Sequence, residues 1–228
     1  MGTGVVIVAA GSGKRMGGER NKLWLPLGGE PILAHTVRLF ATHREIDEIA
    51  LVVSAQDHDS VLKWLDRERI RVTVALGGAE RQDSVRNGLS ALSRDCSYVL
   101  VHDAARPFVT REQISAMIQK VKEDQATIMA VPVKDTIKVV GTTGIVESTP
   151  ARESLWAVQT PQAFRMSLLR EAHQAALEAG KMGTDDAMLV EWLGHPVTVM
   201  QGSYENIKIT TPDDLWLGEE ILRKRRGE

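Results

Sequence analysis

A glycine-rich loop with cationic side chains follows the first apolar run of the chain. The loop, AAGSGKRM, covers residues 9–16, and a polar stretch continues from it to Lys22. Glycines permit a tight turn whose backbone N–H groups face an anion, and Lys14, Arg15 and Lys22 add mobile positive charge beside it. This combination predicts a triphosphate site. The loop alone leaves one alternative open, an ordinary turn with solvated cations nearby.

The spacing of the loop excludes two common phosphate-binding motifs. A Walker A loop needs Gly-Lys followed by Ser or Thr, but here Arg15 follows Lys14. The dinucleotide-binding fingerprint needs a third glycine where Met16 stands, and an acidic residue at the end of the second strand, where Ser54 and Ala55 stand.

The segment VHDAARP, residues 101–107, ends another apolar run and carries a candidate metal ligand. The hard carboxylate of Asp103 is suited to Mg²⁺, which takes its remaining oxygen ligands from water and phosphates. The alternative is a carboxylate that caps a helix or turn and pairs with a nearby arginine. We expect His102 to be structural, because in-line attack on phosphorus by a phosphate needs no histidine base.

The segment GGAERQDSV, residues 77–85, repeats the pattern of glycines followed by polar side chains. Its glycines would allow close approach of the backbone to a ligand, and Arg81, Asp83 and Ser84 offer polar contacts. Capping of the following helix by Asp83 or Ser84 is an equally good explanation of these two residues.

The elements that must position these loops alternate along the chain. Short β-branched runs at 5–10, 49–54, 72–76, 98–104 and 127–133 predict buried strands, and the segments between them have helical spacing, including a capping box of Thr110 and Gln113. Strict alternation predicts a parallel sheet with helices on both faces, whose ligands bind beyond the carboxyl ends of the strands.

The alternation stops near residue 134. Residues 134–155 have β-forming stretches around a Gly-Thr-Thr-Gly turn, which predicts a hairpin that projects from the domain. After it we expect helices near 165–179 and 185–193, strands at 197–201 and 207–210, and a last helix that Thr211 caps with Pro212 in its first position.

The composition limits the class of protein. With 228 residues, 43% of them apolar, the chain can bury the core of one main domain, expected over residues 1–228. A formal net charge of −2 predicts no attraction to nucleic acid or anionic lipid. The single cysteine, Cys96, excludes an internal disulfide and agrees with a cytoplasmic location. The first apolar run is too short to span a bilayer, which takes about 20 residues, so no membrane segment is expected.

Together these motifs resemble those of the 2-C-methyl-D-erythritol 4-phosphate cytidylyltransferases of the non-mevalonate isoprenoid pathway. Each motif alone is common, but the combination is specific and covers nearly the whole chain. The matching segments are AAGSGKRM, Lys22, GGAERQDSV, VHDAARP, KDTIK (134–138), QTPQ (159–162), TDDA (184–187) and ENIKIT (205–210). The resemblance implies an α/β fold, a Rossmann-like mixed sheet with a parallel core and helices on both faces, of the nucleotidyltransferase and glycosyltransferase-A type.

The resemblance also implies a CTP site with Mg²⁺ as the cofactor. Arg15 and Lys22 would stabilise charge on the triphosphate as its α-phosphorus is attacked, and Asp103 would help to hold the metal ion. Gly78 and Ser84 would meet the cytosine and the ribose. The other residues assigned to substrate binding around the nucleotide are Ala9, Ala10, Gly11, Ser12, Gly13, Arg81 and Ala104.

A homodimer is the third implication, with the projecting β-arm of one chain reaching its neighbour. Thr136 and Arg152 of the arm would contact methylerythritol phosphate across the interface, together with Arg106, Thr184 and Lys208 of the other chain. Arg152 and Lys208 would fix the incoming phosphate and so join the catalytic residues. Without the resemblance, Lys208 would be taken for a solvated surface lysine.

The chain departs from the family pattern beside Lys22. The family most often has Pro-Lys-Gln where Asn21, Lys22 and Leu23 stand here. The change removes a side-chain hydrogen bond from position 23 and leaves the charge of the lysine.

Two rival functions remain. The first is a ribitol-5-phosphate cytidylyltransferase, which differs mainly in the acceptor pocket, and the second is a nucleotide-binding module without catalysis. Arg152, Thr184 and the segment ENIKIT favour methylerythritol phosphate over the first rival. The presence of Asp103 and the loop cations argues against the second.

Overall fold

A seven-stranded sheet in the order β11-β7-β10-β6-β1-β4-β5 forms the centre of the computed structural model, which describes residues 2–11 and 22–227. Its strands are β1 (Gly2–Val8), β4 (Glu48–Val53), β5 (Thr73–Leu76), β6 (Cys96–Asp103), β7 (Ala126–Pro132), β10 (Trp156–Arg165) and β11 (Thr198–Gln201). Two small hairpins pair β2 (Pro26–Leu27) with β3 (Glu30–Pro31), and β8 (Val139–Val140) with β9 (Val146–Ser148). The helices are α1 (Ile32–Ala41), α2 (His58–Glu68), α3 (Arg81–Ala91), α4 (Arg111–Asp124), α5 (Met166–Glu178), α6 (Asp186–Trp192) and α7 (Pro212–Arg226).

The sheet is mixed because one strand runs against the rest. β10 is antiparallel to both of its neighbours, β6 and β7, whereas the other pairs of neighbouring strands are parallel. The fold class predicted from the sequence, a parallel core within a mixed sheet, is therefore confirmed. β10 itself was not among the predicted strands. Its register shifts between Gln159 and Gln162, which interrupts the alternation of side chains by which a strand is recognised.

Side chains of β1 show why helices cover both faces of the sheet. Val5 and Ile7 are buried in a core that α1, α2, α4 and α7 share, whereas Val6 between them is buried in a second core with α3, α5 and α6. Successive side chains of a strand point to opposite faces, so a run that is apolar throughout requires cover on both sides.

Local signals in the sequence place several helix boundaries correctly. Thr110 and Gln113 form the predicted capping box of α4, and Thr211 caps α7 with Pro212 in its first turn. Asp83 does take part in a cap: its carboxylate accepts a hydrogen bond from the N–H of Glu80, the N-cap residue of α3 (3.3 Å). The capping explanation is thus correct for Asp83.

The strand predicted at 207–210 is wrong, because the structure forms no ladder there. The backbone of this segment binds loops instead of a strand. The N–H of Ile209 donates to the carbonyl of Ala105 (2.8 Å), and the carbonyl of Ile209 accepts from the ammonium of Lys22 (2.9 Å). Ile209 is fully buried, but the composition of this segment does not show which partner its backbone takes.

The hairpin predicted at 134–155 is present in the structure. β8 and β9 pair antiparallel around the turn, in which Gly144 has a φ of +79° that favours glycine. At the base of the arm the N–H of Val133 donates to the carbonyl of Leu155 (3.0 Å), which closes the loop against the sheet. Nearly all side chains between these two residues are exposed.

Among the described residues, no helix combines the length and the apolar character that crossing a membrane requires.

Candidate active site

A cavity of about 470 Å³ opens at the carboxyl ends of β1 and β6, the edge where the sequence predicted the ligand. Because β1, β4, β5 and β6 are parallel and adjacent, the loops that follow them meet at this edge. The lining residues are Val8, Ala9, Ala10, Gly11, Lys22, Leu23, Gly78, Ala79, Glu80, Arg81, Ser84, Asp103, Ala105, Lys208 and Thr210.

Part of the first predicted loop forms one wall of the cavity. Ala9, Ala10 and Gly11 line it, and the N–H of Ala9 donates to the carbonyl of Val52 (2.7 Å), which fixes the loop to β4. Three residues assigned to this site, Ser12, Gly13 and Arg15, lie outside the described residues. Lys22 lines the cavity from the other end of that stretch.

The loop at residues 77–85 packs so closely against its neighbours that only glycine fits at its first two positions. A Cβ at Gly77 would lie 2.4 Å from the Cβ of Ala10, and one at Gly78 would lie 2.3 Å from the Cβ of Asp83. The hydroxyl of Ser84 accepts from the N–H of Gly78 (3.1 Å) and donates to the carbonyl of Glu80 (3.1 Å). Ser84 is buried and therefore shapes the loop as well as lining the cavity.

The carboxylate of Asp103 joins two cations on the wall of the cavity. Lys208 Nζ lies 2.6 Å from Asp103 Oδ2, and Arg81 Nε lies 3.5 Å from Asp103 Oδ1. Burial by itself would raise the pKa of Asp103, but the charges of Arg81 and Lys208 hold that pKa well below its ordinary value. Asp103 is therefore ionised, and Lys208 belongs to the site instead of the solvated surface.

The donor set fits a magnesium ion that arrives with phosphate, not a preformed metal cage. Among the residues that the structure describes, no group of three or more His, Cys, Asp or Glu side chains could hold a metal ion. Mg²⁺ is commonly held by one or two carboxylates and completes its shell with water and substrate phosphates. An ionised Asp103 on the wall of a cavity with nearby cations meets that requirement.

His102 lies beneath the cavity and does not line it. Its ring is fully buried, with Nε2 donating to the carbonyl of Arg106 (3.0 Å) and Nδ1 lying 3.1 Å from the hydroxyl of Thr160. Burial lowers the pKa of His102 to about 4, so the ring is neutral at pH 7. These contacts agree with the structural role predicted for it.

Two predicted binding residues after β6 support the cavity from behind. Ala104 is fully buried; its N–H donates to the carbonyl of Val8 (3.0 Å) and its carbonyl accepts from the hydroxyl of Thr36 (2.9 Å). The guanidinium of Arg106 donates to the carbonyls of Asn206 (2.8 Å) and Val158 (3.4 Å). In a single chain both residues hold loops in place and do not line the cavity.

Three further predicted residues lie away from the cavity and are exposed. Thr136 and Arg152 are on the arm, where Arg152 Nη1 donates to the carbonyl of Lys134 (3.0 Å). Thr184 precedes α6, and its hydroxyl lies 3.6 Å from the sulfur of Met188. One chain therefore does not bring these three residues to Lys208.

Sequence reasoning missed several lining residues and a buried group next to them. Val8, Ala79, Ala105 and other backbone neighbours of the predicted residues had no chemical signal of their own. Asp186 pairs with Arg81 (2.7 Å), although the two are 105 positions apart in the chain. The quartet TDDA contained Asp186, but its pairing with the first residue of α3 depends on tertiary packing that the sequence does not show.

Comparison with protein families gives one match over almost the entire chain. The profile of the 2-C-methyl-D-erythritol 4-phosphate cytidylyltransferase family matches residues 3–224. A protein of that name from Alkaliphilus metalliredigens is 49% identical over 226 residues, which cover 97% of this chain and 93% of the relative. Another from Bacillus velezensis is 48% identical and covers 98% of this chain and 97% of the relative.

Solved structures of the same description have the same fold. The 4-diphosphocytidyl-2C-methyl-D-erythritol synthase of Anaerococcus prevotii superposes with a TM-score of 0.88 at 32% identity, covering 97% of this chain and 96% of that one. The 2-C-methyl-D-erythritol 4-phosphate cytidylyltransferase of Thermus thermophilus gives a TM-score of 0.81 at 34% identity, covering 98% and 100%.

We expect His102 to make folding sensitive to acid. In the folded chain the ring stays neutral down to about pH 4, whereas in the unfolded chain it takes up a proton near pH 6.5. Acid therefore favours the unfolded state, and the cost between pH 6.5 and pH 4 is roughly 3 kcal/mol. Urea unfolding of His102→Gln at several pH values should show a shallower loss of stability over this range. Replacement of the exposed His195 by Gln is the control, and an unchanged pH dependence in His102→Gln would contradict the burial of a neutral ring.

Proposed function

The chain belongs to the 2-C-methyl-D-erythritol 4-phosphate cytidylyltransferase family and is a transferase, and from that premise we propose which substrates it takes and how its residues act. The proposed reaction transfers CMP from CTP to 2-C-methyl-D-erythritol 4-phosphate. The products are 4-diphosphocytidyl-2-C-methyl-D-erythritol and pyrophosphate.

The observation that carries the proposal is the charged cavity at the carboxyl edge of the sheet. Lys22, Arg81 and Lys208 bring three cationic side chains to one cavity that two glycine-containing loops also line. Its volume of about 470 Å³ falls within the range of about 300–1,000 Å³ that small-molecule sites occupy. A triphosphate is the ligand that this combination of cations and close backbone suits.

The nucleotide would lie between the two loops. Residues 9–11 and Gly78 line the cavity, and none of them has a large side chain that would keep a ligand from the backbone. We propose that Gly78 and Ser84 meet the cytosine and ribose, and that Ser12 and Gly13 continue the wall. This placement leaves the phosphates facing Lys22, Arg81 and Asp103.

Catalysis in this proposal consists of positioning and electrostatic stabilisation. A phosphate oxygen of the acceptor forms a bond to the α-phosphorus of CTP as the bond to the pyrophosphate oxygen breaks. Arg15 and Lys22 offset the negative charge that grows on the departing pyrophosphate, and Lys208 holds the incoming phosphate against repulsion from the triphosphate. Lys22 Nζ is held by the carbonyl of Ile209 (2.9 Å), so its charge is already directed at the cavity before substrate binds.

We propose Mg²⁺ as the cofactor, with Asp103 as its protein ligand. The ion would neutralise charge on the phosphates. Asp103 is ionised and on the cavity wall, which makes it available to a hydrated metal ion bound to a nucleotide.

The acceptor site in this proposal is shared by two chains. Thr136 and Arg152 of the partner subunit would complete a pocket that also contains Arg106, Thr184 and Lys208. Exposed apolar side chains on the arm support the pairing, because Val140, Ile145 and Val146 are 53%, 68% and 53% exposed in the single chain. An arm with this much uncovered apolar surface is suited to packing against a second copy.

A coupled assay with two acceptors tests the proposed reaction. The wild-type chain, CTP and Mg²⁺ should release pyrophosphate with 2-C-methyl-D-erythritol 4-phosphate and at least about a hundredfold more slowly with ribitol 5-phosphate, because a site built around one acceptor loses its hydrogen bonds with another. Faster release with ribitol 5-phosphate would assign the other acceptor. No release with either acceptor, while CTP still binds, would support a binding module instead.

Removal of the Lys22 charge should reduce turnover without unfolding the chain. We expect Lys22→Ala to lower kcat by about a hundredfold to a thousandfold, the usual effect of losing one preorganised group that stabilises transition-state charge. Stopped-flow measurement of pyrophosphate release provides the rate, and circular dichroism checks the fold. Lys63→Ala, which removes an exposed lysine from α2, is the matched control. Near-normal turnover in Lys22→Ala would remove this residue from the mechanism.

A shared site predicts that two inactive variants complement each other. In a mixed dimer of Arg152→Ala and Lys208→Ala chains, one of the two sites receives both defects and the other receives neither. Co-expression of the two variants should therefore restore about a quarter of wild-type activity, given random pairing of subunits. Sedimentation analysis should show a dimer. A monomer, or a mixture no more active than its two components, would contradict a site built from both chains.

A further inference from the structure

A buried chain of charged side chains extends from the cavity into the protein. Arg81 lies between two carboxylates: its Nε is 3.5 Å from Asp103 Oδ1, and its Nη1 is 2.7 Å from Asp186 Oδ2. The other oxygen of Asp186 accepts from Nε2 of His173 at 3.2 Å. The side chains follow one another from the cavity wall to the interior in the order Asp103, Arg81, Asp186 and His173.

Asp186 and His173 are inaccessible to any substrate. Each is only 1% exposed, whereas Arg81 reaches the cavity. Burial by itself would raise the pKa of Asp186, but the charge of Arg81 and the hydrogen bond from His173 hold that pKa below its ordinary value. Asp186 is therefore a buried anion whose partner is a cation of the proposed nucleotide site.

The backbone around Asp186 is fixed from two sides. Asp185 caps α6 by accepting from the N–H of Met188 (2.9 Å), and it also accepts from Nε2 of Gln162 on β10 (2.8 Å). Gln162 in turn accepts from the N–H of Ala187 (3.2 Å). The first turn of α6 is thus attached to the sheet on both sides of Asp186, so this carboxylate has a fixed position.

We propose that Asp186 is a positioning residue for the nucleotide site. A free arginine side chain has many rotamers, and the planar guanidinium of Arg81 can satisfy two carboxylates only in a narrow range of orientations. Asp186 holds the guanidinium from the interior and keeps it against Asp103, on the wall that meets the phosphates. His173 keeps the carboxylate of Asp186 turned toward Arg81. This inference rests on the proposed CTP site.

A double-mutant cycle separates positioning from general stability. Calorimetric titration with CTP and Mg²⁺ measures the dissociation constant, and pyrophosphate release measures kcat/KM. We expect Asp186→Asn to raise the dissociation constant for CTP and lower kcat/KM about tenfold to a hundredfold. In the Arg81→Lys background the same change should have less than about a threefold effect, because the lysine cannot reach both carboxylates as the guanidinium does.

Two further variants keep the test decisive. His173→Gln leaves the pair of Arg81 and Asp186 intact, and we expect it to weaken CTP binding about twofold to fivefold in the wild-type background and not in Arg81→Lys. If Asp186→Asn does not fold, His173→Gln takes its place in the test. Asp124→Asn, which removes a carboxylate that pairs with Lys120 on α4, is the control and should leave CTP binding unchanged.

The outcomes distinguish this inference from the proposed function. Equal effects of Asp186→Asn in both backgrounds, or CTP binding by Asp186→Asn and His173→Gln that matches the wild type, would overturn the positioning role while the reaction stands. A wild-type chain that binds CTP and releases no pyrophosphate would refute the proposed reaction, and the cycle would still be read from the dissociation constants. A wild-type chain that does not bind CTP would overturn both.

Discussion

The candidate site depends on the ion pairs that the carboxylate of Asp103, at the end of β6, forms with two cations. β6 lies near the middle of the sheet between β1 and β10, so its last residue has a fixed position relative to every loop at that edge. Lys208 comes from the segment before α7 and Arg81 from the first turn of α3, and both reach the same carboxylate. Without this anion, two cations would face each other across a partly buried space, which is unfavourable. Asp103 therefore determines where the positive charge of the cavity lies.

Much of the fold follows from local patterns in the sequence. The runs that became β1, β4, β6 and β7 are mostly apolar because each is covered on both faces, whereas β5 at the edge of the sheet is only partly buried. The caps of α4 and α7 are formed by residues close together in the sequence. β10 was not predicted, since its shift of register at residues 159–162 breaks the pattern. The strand prediction for 207–210 was wrong for the opposite reason. The composition of this segment is typical of a strand, but its backbone binds Ala105 and Lys22.

The candidate site was predictable loop by loop but not as a set of contacts. Glycines and cations after β1 and β5, and a carboxylate after β6, identified the walls of the cavity because parallel neighbouring strands end at one edge. The position of Lys208 came only from resemblance to a family, and the pairing of Arg81 with Asp186 came from neither source. Such contacts depend on the packing of α3 against β1, β4 and β5 and of α6 against β7, which no local pattern encodes. The same holds for Thr136 and Arg152, whose partners would be on a second chain.

The arrangement of charge explains how a chain of nearly balanced composition could hold a polyanion. Its net charge of −2 gives no overall attraction for phosphates, so any attraction must be local. Around the cavity, Lys22, Arg81 and Lys208 stand opposite Asp103 and Glu80, which leaves a small positive excess among the described residues. In the proposed reaction, Asp103 would hold Arg81 and Lys208 in place before any ligand binds, so little reorganisation would remain when negative charge develops on a phosphate. A cluster of cations without that carboxylate would attract phosphates more strongly, but its flexible side chains would bind the ground state as well as the transition state and so add nothing to turnover.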